Sequence, residues 1–245
     1  MSFSFNFSID SGVNDANCID TDINVSDEGH NVVQHQHFIS DLTIPAIVVP
    51  APLSNAADVH EFSIIPILNS SISIITNASV SSEPENSDLV ECVYGGGKKV
   101  WECSVDLAIF LNENRHDLQL NSSSRVLELG CGHGIPGMVL LQLGYKVTFT
   151  DLNADVLERV TWPNIFKNCP SNSNHAACIA GDWRNVSSEL ERDRFDLIVS
   201  AETLYSPLSC QLVSYHPKYG QGTYCYSYYI LSDSIGSGLF GSSFE

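Results

Sequence analysis

Apolar residues come in short bursts along the second half of the chain, and the bursts alternate between two periods. Arg125–Leu129 (RVLEL), Lys146–Asp151 (KVTFTD), Ala176–Ala180 (AACIA) and Arg194–Ser200 (RFDLIVS) are brief, mostly apolar runs that read as buried strands. Between them apolar positions recur at helical spacing. Val105, Ala108, Ile109, Phe110 and Leu111 precede the first run behind Ser104 as N-cap; IPGMVLLQLGY follows it from Ile135; Val156, Leu157, Val160 and Phe166 follow the second. Pro163 is expected to end or kink that last helix near Trp162. Strands alternating with helices at this spacing predict an α/β fold: a parallel sheet with right-handed crossovers and its ligand crevice at the carboxyl ends of the strands.

The first strand runs into Gly130, Gly132 and Gly134, which let a sharp turn pass close to a ligand without a Cβ in the way. Pro136 suits the first turn of the helix that follows, because its missing N–H costs nothing there. A dinucleotide fingerprint, G-x-G-x-x-G, fits when counted from Gly132 and Gly134 to Gly137, so the turn alone does not exclude NAD. Asp151 closes the second strand roughly 20 residues after the first glycines, where a carboxylate meets ribose hydroxyls. An acid there predicts a ribose-bearing ligand and argues against a 2′-phosphate. Asp182 and Trp183 follow Gly181 at the end of the third strand, where an acid can accept from an exocyclic amine and an indole can pack on a base. With Ser200, four strand ends carry candidate ligand residues.

The formal net charge of −18 disfavours DNA or RNA phosphate, whose non-specific binding is driven by Lys and Arg releasing counterions, and points to a basic protein partner. Residues 1–86 hold no Lys or Arg, carry no signal peptide, and are expected to form an acidic, mostly disordered tail. A short strand or helix around Ile64–Ile75 docking on the domain is the alternative. The most apolar stretch, FSIIPILNSSISIITNA, is interrupted by Pro66 and Asn69 and is too short for a membrane span. Eight cysteines without a C-x-x-C pair, in a chain expected to carry no export signal, predict reduced intracellular thiols. A monomer in the cytoplasm or nucleus is expected. His30, His35 and His37 read as solvated tail residues, so no metal site is expected. Gly95–Gly97 read as a turn, since no Lys-Ser or Lys-Thr follows at phosphate-loop spacing.

The block E-L-G-C-G-x-G followed by F-T-D-L-N resembles the first two motifs of the seven-strand S-adenosylmethionine-dependent methyltransferases. The segment D-L-V-E-C-V-Y-G-G-G-K-K-V-W-E-C resembles the opening of the domain in the histidine protein methyltransferases. V-T-W-P-N after the second strand and G-D-W after the third are also similar to that family. The resemblance implies a Rossmann-like class I methyltransferase sheet over residues 87–207. It implies S-adenosylmethionine as cofactor, with Glu128, Gly130 and Gly132 at the methionine part and Asp151 at the ribose. Asn153, Gly181, Asp182, Trp183 and Ser200 would lie toward the adenosine, with Trp101, Glu102 and Cys103 closing over the cofactor. S-A-E-T-L-Y resembles the motif after strand four of the protein-directed branch, which makes Glu202 and Tyr205 the substrate-contacting, catalytic candidates. A basic ribosomal protein is the implied substrate.

After Pro207 the resemblance ends, so residues 208–245 are expected to be a divergent tail and the sheet to lack its C-terminal strands. Tyr224–Leu231 (YCYSYYIL) is β-prone enough to pair as a substitute. Two rival functions stay open: a lysine-directed methyltransferase of the same branch, and a truncated, non-catalytic protein that binds cofactor or a basic partner.

Overall fold

The computed structural model describes residues 44–52, 60–67, 70–81, 94, 96–118, 120–190, 195–201, 203, 224–230 and 237–243, all within the compact unit Ser40–Glu245. Four parallel strands form its centre: β4 (Arg125–Leu129), β5 (Lys146–Asp151), β6 (Ala176–Ala180) and β7 (Leu197–Ala201), where the apolar bursts predict them. Among the described residues they belong to a seven-stranded sheet, within which they run in the order β6-β5-β4-β7.

Both edges of that sheet come from segments expected to be tails. β1 (Ile47–Val48) pairs antiparallel with β6, Ile47 opposite Ala180. At the other edge β8 (Tyr224–Ile230) adds parallel to β7, and β9 (Ser237–Ser243) returns antiparallel to β8. The expectation of a sheet ending at the fourth strand is therefore corrected. β7 is an interior strand, and the substitute pairing of Tyr224–Ile230 forms in register with it, Leu197 opposite Tyr224. Aromatic and β-branched residues favour an extended chain, and the backbone groups of β7 need partners.

The stretch expected to be mostly disordered also contains a hairpin, β2 (Phe62–Ile67) and β3 (Ser70–Ile75), so the docked alternative is the one the structure adopts there. Alternation explains it. Ile72 and Ile74 point inward with Ile67, while Ser71 is exposed. Two asparagines one turn apart on α4 (Trp162–Asn168) hold it. Ser73 N–H donates to Asn168 Oδ1 at 2.7 Å, Asn168 Nδ2 donates back to Ser73 O at 2.7 Å, and Ile75 N–H donates to Asn164 Oδ1 at 2.8 Å. Side-chain amides thus supply the partners that a neighbouring strand would give.

Parity along the central strands assigns residues to faces. Val126, Val147, Phe149, Leu197 and Val199 pack with α1 (Glu102–Glu113), α2 (Ile135–Gln142), α4 and the hairpin. Leu127, Leu129, Ile179 and Ile198 pack with Val186 and Leu190 of α5 (Trp183–Leu190). Helices therefore cover both faces, and the central strands are buried on both sides. Ser104 does not cap α1: Trp101 is the cap residue, and Ser104 Oγ donates to Trp101 O at 2.7 Å from within the first turn. Pro163 begins α4 instead of ending a helix. Between α3 (Ala154–Val156) and α4 the turn over Leu157–Thr161 widens, and Trp162 N–H reaches back to Leu157 O. This bulge lets a proline enter an otherwise continuous helical run.

Candidate functional site

The glycine turn sits where β4 hands over to α2, and three of its glycines have positive φ: Gly130 at 61°, Gly132 at 49° and Gly134 at 72°. Space as well as conformation excludes a side chain. A Cβ on Gly130 would stand 2.2 Å from Thr203 Cγ2, and one on Gly132 would stand 2.9 Å from Gly97 O. The loop carrying Gly96 and Gly97 thus lies directly on the turn. It also lies on Asp151, whose Oδ2 would be 3.3 Å from a Cβ on Gly97.

Asp151 ends β5 as expected, and both of its carboxylate oxygens accept from backbone N–H groups. Oδ2 accepts from Gly132 N–H at 2.9 Å and Oδ1 from Asn153 N–H at 3.1 Å. The acid therefore shapes the turn. Burial pushes it up to about 6, against the lowering effect of the Gly132, Asn153 and Leu152 N–H groups. Glu128, on the α2 face of β4, accepts from Gly137 N–H at 3.0 Å, and burial pushes it up to about 8. Both side chains are buried, and among the described residues no cation pairs with either. Two carboxylates taken out of water without a counter-charge are costly, and a cationic ligand at the turn would relieve that cost.

The other expected site residues are placed as follows. Asn153 precedes α3 and is buried. Gly181 receives the close approach of Pro45 and Ala46, and its N–H donates to Asp151 O at 2.9 Å. Asp182 stands before α5, its carbonyl accepting from Asn185 and Val186 N–H. Trp183 opens α5 with its Cζ2 3.9 Å from the Cβ position of Gly130, which brings the indole to the turn. Ser200 is buried in β7 and its hydroxyl meets that of Thr203. Trp101, Glu102 and Cys103 separate. Trp101 Nε1 donates to Gly96 O at 3.2 Å under Lys99 Nζ, 4.6 Å from the ring, while Glu102 is exposed and Cys103 enters the core of α1. Only the tryptophan of the three joins the loop over the turn. Glu202 and Tyr205 lie outside the described residues, as do His30, His35 and His37.

Residues given no role in the sequence reading complete the turn. Thr161 Oγ1 donates to Gly132 O at 2.6 Å, Asn164 Nδ2 donates to His133 O at 3.1 Å, and His133 Nε2 lies 2.7 Å from Lys98 O. Thr161 and Asn164 both stand in the V-T-W-P-N stretch, so the signal was present as a pattern without a function.

A parallel sheet with a glycine turn, buried acids and an indole at its carboxyl edge defines an α/β cofactor-binding protein. The family described as "Lysine methyltransferase" matches residues 88–214, and the chain belongs to that family. It is 43% identical over 122 residues to "Histidine protein methyltransferase 1 homolog" of Dictyostelium discoideum, covering 50% of this chain and 38% of that one. It is 47% identical over 89 residues to "Histidine protein methyltransferase 1" of Schizosaccharomyces pombe, covering 34% and 25%. The chain thus spans less than half the length of these curated relatives. Among solved structures it is similar to the glycopeptide N-methyltransferase MtfA, with a TM-score of 0.41, 20% identity, and coverage of 50% of this chain and 53% of that one.

Proposed function

We propose that this chain is an S-adenosylmethionine-dependent protein methyltransferase acting on histidine. The observation that carries the cofactor is the pair of buried carboxylates, Glu128 and Asp151, around a glycine turn, which no cation among the described residues pairs. S-adenosylmethionine brings a sulfonium and an ammonium, the charges this environment lacks, and a ribose and adenine for the neighbouring strand ends. When bound, it supplies an electrophilic methyl group for in-line displacement by an acceptor nitrogen.

The chain's own residues bind and orient. Gly130 and Gly132 let Thr203 and the Gly97 loop pack directly on the turn, and Trp183 brings an aromatic ring beside Gly130 for the adenine. Trp101, held by Gly96, belongs to the loop that excludes water from the turn. Glu202 and Tyr205 follow β7 and are assigned to the substrate. A carboxylate there can orient a neutral imidazole and take its proton after transfer. Rate comes mainly from alignment of the two reactants.

Histidine as the acceptor is supported by the names of the relatives and by the Trp101–Cys103 segment; lysine is the second reading, favoured by the family's description. The chain incubated with methyl-labelled S-adenosylmethionine and a ribosomal extract, followed by acid hydrolysis of the labelled protein, separates them. Methylhistidine is the expected product. Methyllysine alone would replace histidine with lysine, and absence of cofactor binding by calorimetry would overturn the methyltransferase reading itself.

A further inference from the structure

Asn164 is fully buried on α4, and two backbone groups fix which way its amide faces. Ile75 N–H can only donate, and it meets Oδ1 at 2.8 Å; His133 C=O can only accept, and it meets Nδ2 at 3.1 Å. Flipping the amide would break both contacts. With the NH2 group so placed, its second hydrogen points at His133 Nδ1, 3.1 Å away. Nδ1 must therefore accept, the ring proton sits on Nε2, and Nε2–H donates to Lys98 O at 2.7 Å. The tautomer thus follows from the hydrogen bond that β3 makes to the same Asn164 amide.

Lys98 belongs to the loop whose Gly97 rests on Gly132 and covers Asp151. The chain of contacts thus runs from the β2–β3 hairpin through Asn164 and His133 to the loop over the cofactor turn. We propose that His133 and Asn164 are positioning residues for the cofactor site, latching the 96–100 loop onto the glycine turn through a neutral Nε2–H imidazole and coupling it to the hairpin. The cofactor part of this proposal rests on the function proposed above.

The surroundings of the ring favour neutrality. α4 presents the uncharged Asn164, the loop presents the Lys98 carbonyl, and the nearby acid, Asp151, is bound by Gly132 and Asn153 N–H. Burial holds the imidazole below its usual range, only partly offset by the Lys98 carbonyl. An imidazolium would set an Nδ1–H against the Asn164 NH2 group.

Nitrogen-15 spectra of the histidine rings in the full chain test the latch directly. His133 should show the Nε2–H neutral tautomer and stay neutral at a pH just below the ordinary imidazole value of 6.5. An Nδ1–H tautomer, or a ring already protonated at that pH, would overturn the proposal without reference to any cofactor. Two variants test the consequence. His133→Phe should weaken S-adenosylmethionine binding roughly tenfold, the loss of about one hydrogen bond, and speed amide exchange at Lys99. His133→Gln, whose amide can still donate to Lys98 O, should recover most of both. Asn164→Ala should speed exchange at Ile75 and at Lys99 together; a change at Ile75 alone would sink the coupling. If the parent chain binds no S-adenosylmethionine, the functional reading fails, while the tautomer and exchange results still decide the latch.

Discussion

Gly137 N–H donates to Glu128 Oε2 at 3.0 Å, and the bond joins the first turn of α2 to the middle of β4 beneath the glycine turn. The glycine is required by space, since a Cβ there would lie 2.3 Å from that oxygen and 2.4 Å from Phe149 Cε1. Both neighbours are buried and neither is free to swing away. Gly137→Ala should therefore push α2 off the sheet and cost about 1–3 kcal/mol, read as a lower urea midpoint. An unchanged midpoint would show that the helix can back away at no cost.

Glu128 makes stability depend on pH in an unusual direction. An unfolded glutamate releases its proton near 4.5, whereas burial holds the folded one to about 8. Between these values the unfolded state binds fewer protons, so stability falls as pH rises through the window and levels off above it. At about 1.4 kcal/mol per unit, the full window is worth on the order of 5 kcal/mol. The cofactor-free chain should thus melt lower at pH 8 than at pH 6. Glu128→Gln keeps an acceptor for Gly137 N–H and should flatten the profile, raising the melting temperature at pH 8. A variant with the parent's pH profile would assign the effect elsewhere.

The central strands were legible because residues buried on both sheet faces leave continuous apolar runs, and the glycine turn because its backbone needs are strict. Of the edges only Tyr224–Ile230 was legible as a strand able to pair there; β1 is only two residues long, in an apolar run too short between Pro45 and Pro50 to read as a strand. The hairpin was legible only as the docked alternative, because what holds β3 to the domain is not a strand. Asn168 and Asn164 read as polar positions on a helix, and nothing local says that their amides face β3. Asp151 was found by position, but spacing alone does not show that Gly132 and Asn153 N–H also bond its carboxylate.

The Asn168 side chain carries much of the hairpin's attachment, exchanging two 2.7 Å hydrogen bonds with Ser73. Asn168→Ala removes both and leaves the Ser73 N–H and C=O without these partners. A loss of roughly 1–3 kcal/mol is expected, with faster exchange at Ser73 and little change in β4 or β5. Unaltered exchange at Ser73 would mean that the isoleucines alone hold β3 in place.

The charge of the ligand should be visible as protons released on binding. Glu128 and Asp151 are pushed up to about 8 and about 6 by burial, so near pH 7 a substantial fraction of the pair is protonated. A sulfonium at the turn favours their ionised forms and lowers both values, so binding of S-adenosylmethionine should expel protons into solution. S-adenosylhomocysteine shares the ribose, adenine and amino-acid groups but lacks the sulfonium charge, and should expel fewer. Calorimetry at pH 7 in two buffers of different ionisation enthalpy measures the proton count for each ligand. The difference should shrink in Glu128→Gln, which removes one titrating group and leaves the turn's backbone contacts in place. Equal release for the two ligands would separate the buried acids from the sulfonium and withdraw them as the reason this site takes a cation.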